Sequence, residues 1–356
     1  MKKTFISLSY LKQIVFLLLL LNNLPLMAAA SFDYYDWQMV CDNTNTCRVA
    51  GYSSELTDSL PVSVLLTRKA GKNQAIKGEL KLAYFSEEDE KVFNALPSIF
   101  QLEMRINGNK LGFVSIEKGE LKGNLSNKQT DALLASPHKK SKIIWQYKTH
   151  KWVLSDKGSA AVLIKMDEYQ KRLNTVGASY KKGTKNEKNV LAPKTVPLIY
   201  AQKISSDEEV ILAPKAMKNL YAALPFDEEE CSIDKDYDNE NIKVFELSST
   251  KALASRLCWR AAYNEGIAYW IINKKQPFNP KHVTNEGSEF YVGDDGVGFI
   301  SMSQKWRGVG DCWSLKDFVW DGTKFQISNE SSTGLCRGFA GGAWSLPTLI
   351  SNIKVK

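Results

Sequence analysis

The sequence predicts an α+β protein that is mostly β, built as two domains joined by a linker. Three observations lead to this prediction. Apolar and polar residues alternate at a period of two in many short segments, as on half-buried strands. Asn-Gly and Asp-Gly pairs between such segments indicate tight hairpin turns, and segments with a helical spacing of apolar residues are few. We expect a β-rich N-terminal domain with two helices, and a C-terminal antiparallel β sandwich or open barrel with two disulfides.

The first thirty residues are predicted to be a cleavable signal peptide. Three lysines precede an unbroken apolar run at residues 14–21, and the small residues 28–30 supply a cleavage site before Ser31. The apolar run is shorter than the roughly twenty residues that a membrane-spanning helix needs. No later segment is apolar enough to cross a membrane. We therefore expect a soluble, periplasmic protein; an uncleaved N-terminal anchor is the alternative.

Residues 31–178 are predicted to form the N-terminal domain. Its strands are expected at residues 37–41, 47–52, 62–67, 76–84, 102–106, 111–116, 143–147 and 152–154. The Asn-Gly pair at residues 107–108 predicts a two-residue hairpin turn. Ser126 and Gln129 match a capping box at the start of the first helix. A second helix is expected over residues 159–173, where apolar side chains recur on one face.

Residues 179–225 are predicted to form a linker, because residues 181–188 are polar, basic and without periodicity, and three prolines follow. One short strand is expected in the linker, and a helix around residues 216–223. Residues 226–356 are predicted to form the disulfide-bonded C-terminal β domain. Its strands are expected at residues 242–247, 253–259, 267–272, 299–302, 317–320 and 324–327.

The six cysteines predict three disulfides, because an even number of cysteines in an exported protein usually pairs. Two cysteines lie close together near the N-terminus and the other four lie beyond residue 230, so two separate domains would each close their own bridges. The predicted pairs are Cys41–Cys47, Cys231–Cys258 and Cys312–Cys336. Zinc binding and redox catalysis are the alternatives, but the sequence contains no C-x-x-C motif.

A set of short motifs lies in order along most of the chain. They are Trp37, the cysteine turn 41–47, residues 51–52, the helical segment 166–170, and the segments 258–264, 305–312, 320–322 and 336–338. Together they resemble a family of secreted bacterial proteins, domain of unknown function 1176, which is marked by six cysteines. The resemblance implies a periplasmic location, the six-cysteine pattern and no established activity. The N-terminal domain is also similar to the invasion-associated locus B family, which likewise opens with a Trp and a nearby Cys pair.

The glycine-containing loop 305–313 is the best candidate for a binding site. Trp306 and Trp313 flank Arg307 and Asp311, and exposed indoles can stack on sugar rings or anchor a protein partner. Arg307 can grip a carboxylate or phosphate with two hydrogen bonds; the structural alternative is that it pairs with Asp311 to hold the loop. Ala262, Trp306 and Trp313 stand where the family pattern leads us to expect glycine. The predicted ligand-binding residues are Trp306, Arg307, Asp311, Trp313, Tyr263 and Asn264.

The usual arrangements of catalytic residues are not found in the sequence. The histidines, His138, His150 and His282, are scattered, and neither H-E-x-x-H nor G-x-S-x-G is present. Disulfide formation would leave no free thiol to act as a nucleophile. We therefore name no catalytic residue and expect no metal or cofactor.

Charge is the last feature with functional meaning. Asp234, Asp236 and Asp238 resemble the start of a calcium loop, but Asn239 replaces the glycine at its sixth position, which favours a solvated acidic loop. The formal charge of +8 falls to about +5 once three signal-peptide lysines are removed, which is no signature of nucleic-acid binding. The basic residues in segment 139–151 are typical of a protected edge strand, or of contact with anionic envelope material.

We expect a noncatalytic binding or interaction protein of the bacterial envelope, with a glycan or a periplasmic protein as its ligand. Loop 305–313, together with Tyr263 and Asn264, would carry recognition. One alternative is a hydrolase of envelope polymers in which Asp311 acts with a second carboxylate and Arg307 orients the substrate. The other alternative is a structural role in envelope stability.

Overall fold

The computed structural model describes residues 30–55, 60–84, 86–225, 231 and 242–356. Residues 1–29 of the predicted signal peptide and the acidic residues 234–240 lie outside these described residues. Strands make up 44% and helices 13% of the structure, which confirms an α+β protein that is mostly β. Among the helices in the described ranges, none is long and apolar enough to span a bilayer.

A ten-stranded antiparallel sheet forms the N-terminal half. Its strands are β1 (Ala30–Tyr34), β2 (Trp37–Cys41), β3 (Cys47–Tyr52), β4 (Val62–Arg68), β5 (Lys77–Leu82), β6 (Ile99–Ile106), β7 (Asn109–Glu117), β8 (Lys122–Asn124), β9 (Ile143–Tyr147) and β10 (His150–Leu154). Their order across the sheet is β1-β2-β3-β4-β5-β8-β7-β6-β9-β10. Most neighbours are joined by short turns, as the hairpin signals in the sequence predicted.

The ten-stranded sheet is buried on both faces near β2. Because side chains alternate along a strand, Trp37 and Met39 point into the main N-terminal core while Val40 packs in a second cluster on the other face. An isolated bridge between Leu60 and Trp152 brings β10 back toward β4, so the sheet curls around the main core. The second cluster is filled by the C-terminal end of the chain, and this positions the site described below.

Three α-helices accompany this sheet: α1 (Glu87–Asn94), α2 (Asn127–Ala135) and α3 (Ser159–Tyr169). The sequence predicted α2, with the reciprocal Ser126–Gln129 capping box that the structure contains, and α3. The structure adds α1, which begins at a second capping box between Ser86 and Asp89. Sequence analysis missed α1 because the helix is very polar and buries only Phe93, so it has no apolar periodicity.

The segment that follows α3 is held against the N-terminal half by buried charges. Asp167 is fully buried and accepts hydrogen bonds from the backbone N–H of Ser179 at 2.9 and 2.7 Å. Arg172 is also fully buried and pairs with Glu187. Burial, with the neighbouring Arg172 charge, lowers the pKa of Arg68 to about 10. The first part of the segment predicted to be a linker therefore packs tightly in the structure.

The rest of that segment contains the expected strand and helix. They are β11 (Leu198–Ala201) and α4 (Pro214–Ala223). Strand β11 pairs in parallel with the last strand of the chain, β21 (Asn352–Val355). Helix α4 begins at a proline in its first turn and buries Leu220 against the C-terminal half.

Two antiparallel sheets form the C-terminal half. One contains β12 (Lys243–Glu246), β13 (Lys251–Arg260), β14 (Glu265–Asn273) and β15 (Lys281–Gly287); the other contains β16 (Glu289–Val292), β17 (Gly298–Lys305), β18 (Trp313–Trp320), β19 (Phe325–Ser332) and β20 (Leu346–Ile350). On β14, Tyr269 packs toward the five-stranded sheet against Trp320, whereas Trp270 faces α4. The two sheets thus share a core as in a sandwich.

Three disulfides join the cysteines, in the pairing that the sequence predicted: Cys41–Cys47, Cys231–Cys258 and Cys312–Cys336. The first links the ends of the hairpin formed by β2 and β3. The third joins the loop after β17 to the loop before β20. Stable disulfides form in oxidising compartments, so these bridges indicate an exported protein.

Candidate functional site

The C-terminal end of the chain is packed onto the outer face of the N-terminal sheet. The indole Nε1 of Trp344 donates a hydrogen bond to Ser63 Oγ at 2.7 Å, and both residues are buried. The rings of Tyr52 and Phe339 meet edge to face, 6.3 Å apart. Gly334 has a φ of +97°, and the Tyr52 hydroxyl occupies the space that a Cβ would need there. Large apolar contacts therefore fix the two halves relative to each other.

A cleft of about 770 Å³ lies between the two halves. One wall is the β1–β2 edge of the ten-stranded sheet and the other is the five-stranded sheet with the loops at its end. Its lining residues are Ser31, Asp33, Gln38, Val40, Glu55, Met302, Trp306, Arg307, Ser314, Leu315, Glu330, Ser331, Ser332, Gly334, Leu335, Cys336, Arg337 and Thr348. Hydroxyls, a few charges and short apolar patches thus face the same space, which suits a polar organic ligand.

Loop 306–312, between β17 and β18, forms the rim of this cleft. The backbone N–H of Trp306 donates to the Cys312 carbonyl at 3.1 Å, and that of Gly310, with a φ of +68°, donates to the Arg307 carbonyl at 3.0 Å. The Trp306 side chain is 65% exposed, and its indole Nε1 donates to Ser314 Oγ at 2.7 Å. The ring is therefore oriented by a hydrogen bond while most of its surface remains in water.

Arg307 and Asp311 form a bidentate ion pair beneath the rim. Arg307 Nε donates to Asp311 Oδ1 at 2.8 Å and Nη2 donates to Oδ2 at 2.6 Å. Asp311 is fully buried and also accepts the backbone N–H of Gly338 at 2.8 Å. These bonds orient the guanidinium so that Nη1 points toward the N-terminal half, where it donates to Glu55 at 3.2 Å.

Arg337 completes a charged cluster across the two halves. Its Nη1 lies 3.4 Å from Oε1 of Glu55, the oxygen that also accepts the hydrogen bond from Arg307. Its Nη2 donates to Asp36 at 3.3 Å and to the Tyr35 carbonyl at 3.4 Å. Two arginines from the C-terminal half therefore converge on one glutamate of the N-terminal half. We call Glu55, Arg307, Arg337, Asp36 and Asp311 the charged cluster.

Tyr263, Asn264 and Trp313 support the loop through hydrogen bonds to its backbone. Asn264 exchanges two hydrogen bonds with the backbone of Lys305, at 2.8 and 2.9 Å. The Tyr263 hydroxyl donates to the Trp306 carbonyl at 3.3 Å. Trp313 donates its indole Nε1 to the Gly310 carbonyl at 2.9 Å. These three residues position the rim and are not among the residues lining the cleft.

The ion pair shifts the pKa of both of its partners. The hydrogen bond to Asp311 raises the pKa of Arg307 above its already high value. Burial pushes the pKa of Asp311 upward, but the hydrogen bonds from Arg307 and from the Gly338 N–H outweigh it, and the net pKa lies below the usual range. Both groups are therefore charged at neutral pH.

The protein family of unknown function DUF1176 matches residues 31–351, nearly the whole chain. The chain belongs to the DUF1176 family. No curated protein and no solved structure matches it. We expected glycine at Trp306 and Trp313 from the family pattern. In the DUF1176 protein neither residue has a positive φ, so the backbone at both positions accepts a side chain.

The structure offers little for a metal in the described part of the DUF1176 protein. One cluster of three groups with ligand-type atoms occurs among the described residues: Asp311, Cys312 and Cys336. Both sulfurs belong to a disulfide, so neither is a thiolate that could bind a cation. His282, which contacts Asn285, and the other two histidines are not among the described residues that line the cleft.

The structure brings together the six residues predicted to bind ligand, but in different roles. Trp306 and Arg307 line the cleft, while the other four support them. Sequence reasoning missed Gln38, Glu55 and Arg337, which also line the cleft. Arg337 lies in the 336–338 motif, and that was the only sequence signal for any of the three.

Proposed function

We propose that this DUF1176 protein is a noncatalytic binding protein of the bacterial periplasm, and that its ligand, a glycan or a segment of another envelope protein, enters the cleft beside Trp306. The observation that carries the proposal is the exposed, hydrogen-bonded indole of Trp306 at the rim of a cleft built by both halves. Its three disulfides support a location in an oxidising compartment.

The size and rigidity of the cleft support binding. A volume of about 770 Å³ falls within the range of small-ligand sites, 300–1,000 Å³. The walls belong to two sheets that are joined through the Trp344–Ser63 contact, so little ordering should be needed when a ligand enters. Arg307 is held in place before a ligand arrives, which lowers the entropic cost of recognition.

Hydrolysis is less well supported than binding. Asp311 and Glu55 both hydrogen-bond to Arg307, so their carboxyl groups lie within about 10 Å of each other, in the range of paired glycosidase acids. A glycosidase general acid needs a raised pKa, whereas the pKa of Asp311 is lowered. Asp311 is also fully buried behind Arg307, and its two carboxylate oxygens accept hydrogen bonds from Arg307 and from the Gly338 N–H.

The test is affinity capture from native envelope extract with the oxidised protein beginning at Ser31. Trp306→Ala removes the exposed ring and should leave the Arg307–Asp311 ion pair intact, because the Trp306 side chain hydrogen-bonds to Ser314 and not to either partner. Val309→Ala is the matched control, because Val309 is 61% exposed in the same loop but does not line the cleft. Bound proteins and glycans are identified by mass spectrometry.

We expect at least one partner that the wild type and Val309→Ala retain and Trp306→Ala loses. If all three proteins capture the same set of proteins and glycans, the proposal is overturned. Activity screens on isolated envelope polymers would then test the hydrolase alternative, and detergent sensitivity after gene deletion would test the structural role.

A further inference from the structure

Glu55 occupies the position between two arginines that a ligand carboxylate would take. Its Oε1 lies 3.2 Å from Arg307 Nη1 and 3.4 Å from Arg337 Nη1. The Glu55 side chain is 49% exposed, so water screens these contacts and they stabilise the protein little. A carboxylate in the cleft can therefore exchange with Glu55 at low cost.

The charge of the cluster supports such an exchange. Each arginine has a second, less exposed acid of its own, Asp311 for Arg307 and Asp36 for Arg337. Each of these two pairs is neutral by itself. Glu55 therefore adds one negative charge to the cluster that no further positive charge balances. When a ligand carboxylate replaces Glu55, the charge of the cluster does not change, and no new buried charge has to be compensated.

Gln38 supplies a second, independent indication of a ligand. The residue is 7% exposed, its side chain lines the cleft, and among the described residues its amide has no hydrogen-bond partner. The Gln38 amide can therefore pair with a ligand that enters the cleft and offers hydroxyl or carbonyl oxygens.

We propose that the cleft binds a short acidic oligosaccharide, whose carboxylate displaces Glu55 and pairs with Arg307 and Arg337 while its hydroxyls meet Gln38. This inference rests on the proposed function and names the ligand class for the same cleft. A sugar is favoured over a protein segment because serine and threonine hydroxyls line both walls, and because the exposed Trp306 ring at the rim can stack on a pyranose face.

The test is isothermal titration calorimetry of the oxidised protein with trigalacturonate and with its fully methyl-esterified form, in which each carboxylate is replaced by an uncharged ester. We expect the ester to bind at least about tenfold more weakly than the acid, because an ester carries no negative charge to pair with the two guanidinium groups. Arg337→Met and Gln38→Met should each weaken binding of the acid by about tenfold or more. Circular dichroism and thermal midpoints check that each variant is folded.

Glu55→Gln is the decisive variant, and Glu330→Gln is its matched control. Glu330 lines the same cleft and its side chain is 42% exposed, but it pairs with Lys316 instead of the arginines. If Glu55 competes with the ligand, Glu55→Gln tightens binding of trigalacturonate by about tenfold, and Glu330→Gln changes it by less than about threefold. If the two variants change the affinity for trigalacturonate equally, the effect comes from the overall charge of the cleft, and the proposal that the ligand displaces Glu55 is wrong.

Three further results separate this inference from the proposed function. Equal affinity for the acid and the ester, or no saccharide binding by either the wild type or Glu55→Gln, overturns the acidic-saccharide inference. Another outcome is that a peptide with a free C-terminal carboxylate binds instead of the saccharide while affinity capture from envelope extract still depends on Trp306. In that case the proposed function stands and the assignment of a saccharide ligand is wrong. If capture does not depend on Trp306 and no saccharide binds, both proposals fail.

Discussion

Arg307 and Asp311 face each other through two parallel hydrogen bonds, Nε to Oδ1 at 2.8 Å and Nη2 to Oδ2 at 2.6 Å. The sequence left open whether this pair recognises a ligand or holds the loop. The structure separates the two roles within one side chain. Nε and Nη2 of Arg307 hold the buried Asp311, while Nη1 reaches Glu55 at the edge of the cleft. Recognition through Nη1 therefore depends on a buried carboxylate that no ligand needs to touch.

Asp311→Asn should destabilise the protein by about 2 kcal/mol, because one of the two buried acceptor oxygens becomes an NH₂ group that cannot accept a hydrogen bond. Guanidinium unfolding measures the change. The control is Glu168→Gln, which removes an exposed partner of Lys165 on α3 and should cost less than about 0.5 kcal/mol. Equal losses in the two variants would mean that the Arg307–Asp311 pair behaves as an ordinary surface ion pair.

The stabilisation from Asp311 should disappear in acid. The folded-state pKa of Asp311 lies below its ordinary value, so as the pH falls the unfolded chain takes up the proton first. The stabilisation is then complete above the ordinary carboxyl pKa of about 4, and it is lost as the pH falls through the lower folded-state value. The difference in thermal midpoint between wild type and Asp311→Asn should be constant near about pH 6 and shrink below about pH 3. A difference that persists unchanged in strong acid would contradict this cause.

The parts of the structure that could be predicted from the sequence depend on neighbours along the chain. The hairpin of β2 and β3, the turn at Asn107 and the disulfide pairs all join residues close in sequence, so alternation and spacing were enough. The proximity of Trp306, Arg307 and Asp311 likewise follows from one short loop.

The cleft itself could not be predicted, because it is built from contacts across the whole chain. Arg307 meets Glu55 across 252 positions, and Trp344 meets Ser63 across 281. No local periodicity encodes such contacts. Gln38 also looked like an ordinary polar position on a strand, and its unpaired amide has meaning only once the opposite wall is in place.

Removing the Cys312–Cys336 disulfide should loosen the rim of the cleft. The bridge closes a loop with a sequence separation of 24, so replacing both cysteines with alanine should cost about 3 kcal/mol. The backbone N–H of Gly338, which donates to Asp311, and that of Gly341, which donates to the Gly310 carbonyl, should then exchange faster with deuterated solvent.

The control removes the Cys41–Cys47 disulfide instead, whose sequence separation is 6 and whose loss should cost about 2 kcal/mol. In this control variant, amide hydrogen exchange at Gly338 and Gly341 should be as slow as in the wild type. Equally fast exchange in both variants would mean that the protection at these glycines reports global stability and not the third disulfide.

The packing of Trp344 against the N-terminal sheet should make the two halves unfold together. Trp344 is buried, packs in one cluster with Val40 and Tyr52, and donates a hydrogen bond to Ser63. Trp344→Ala should therefore cost about 3–5 kcal/mol and split a single calorimetric transition into two, because little apolar contact would still couple the halves. Trp306→Ala removes an indole of the same size from an exposed position and should leave the transition single. If Trp344→Ala also unfolds in one transition at an unchanged midpoint, this cluster does not couple the halves, and the walls of the cleft are held in place by other contacts.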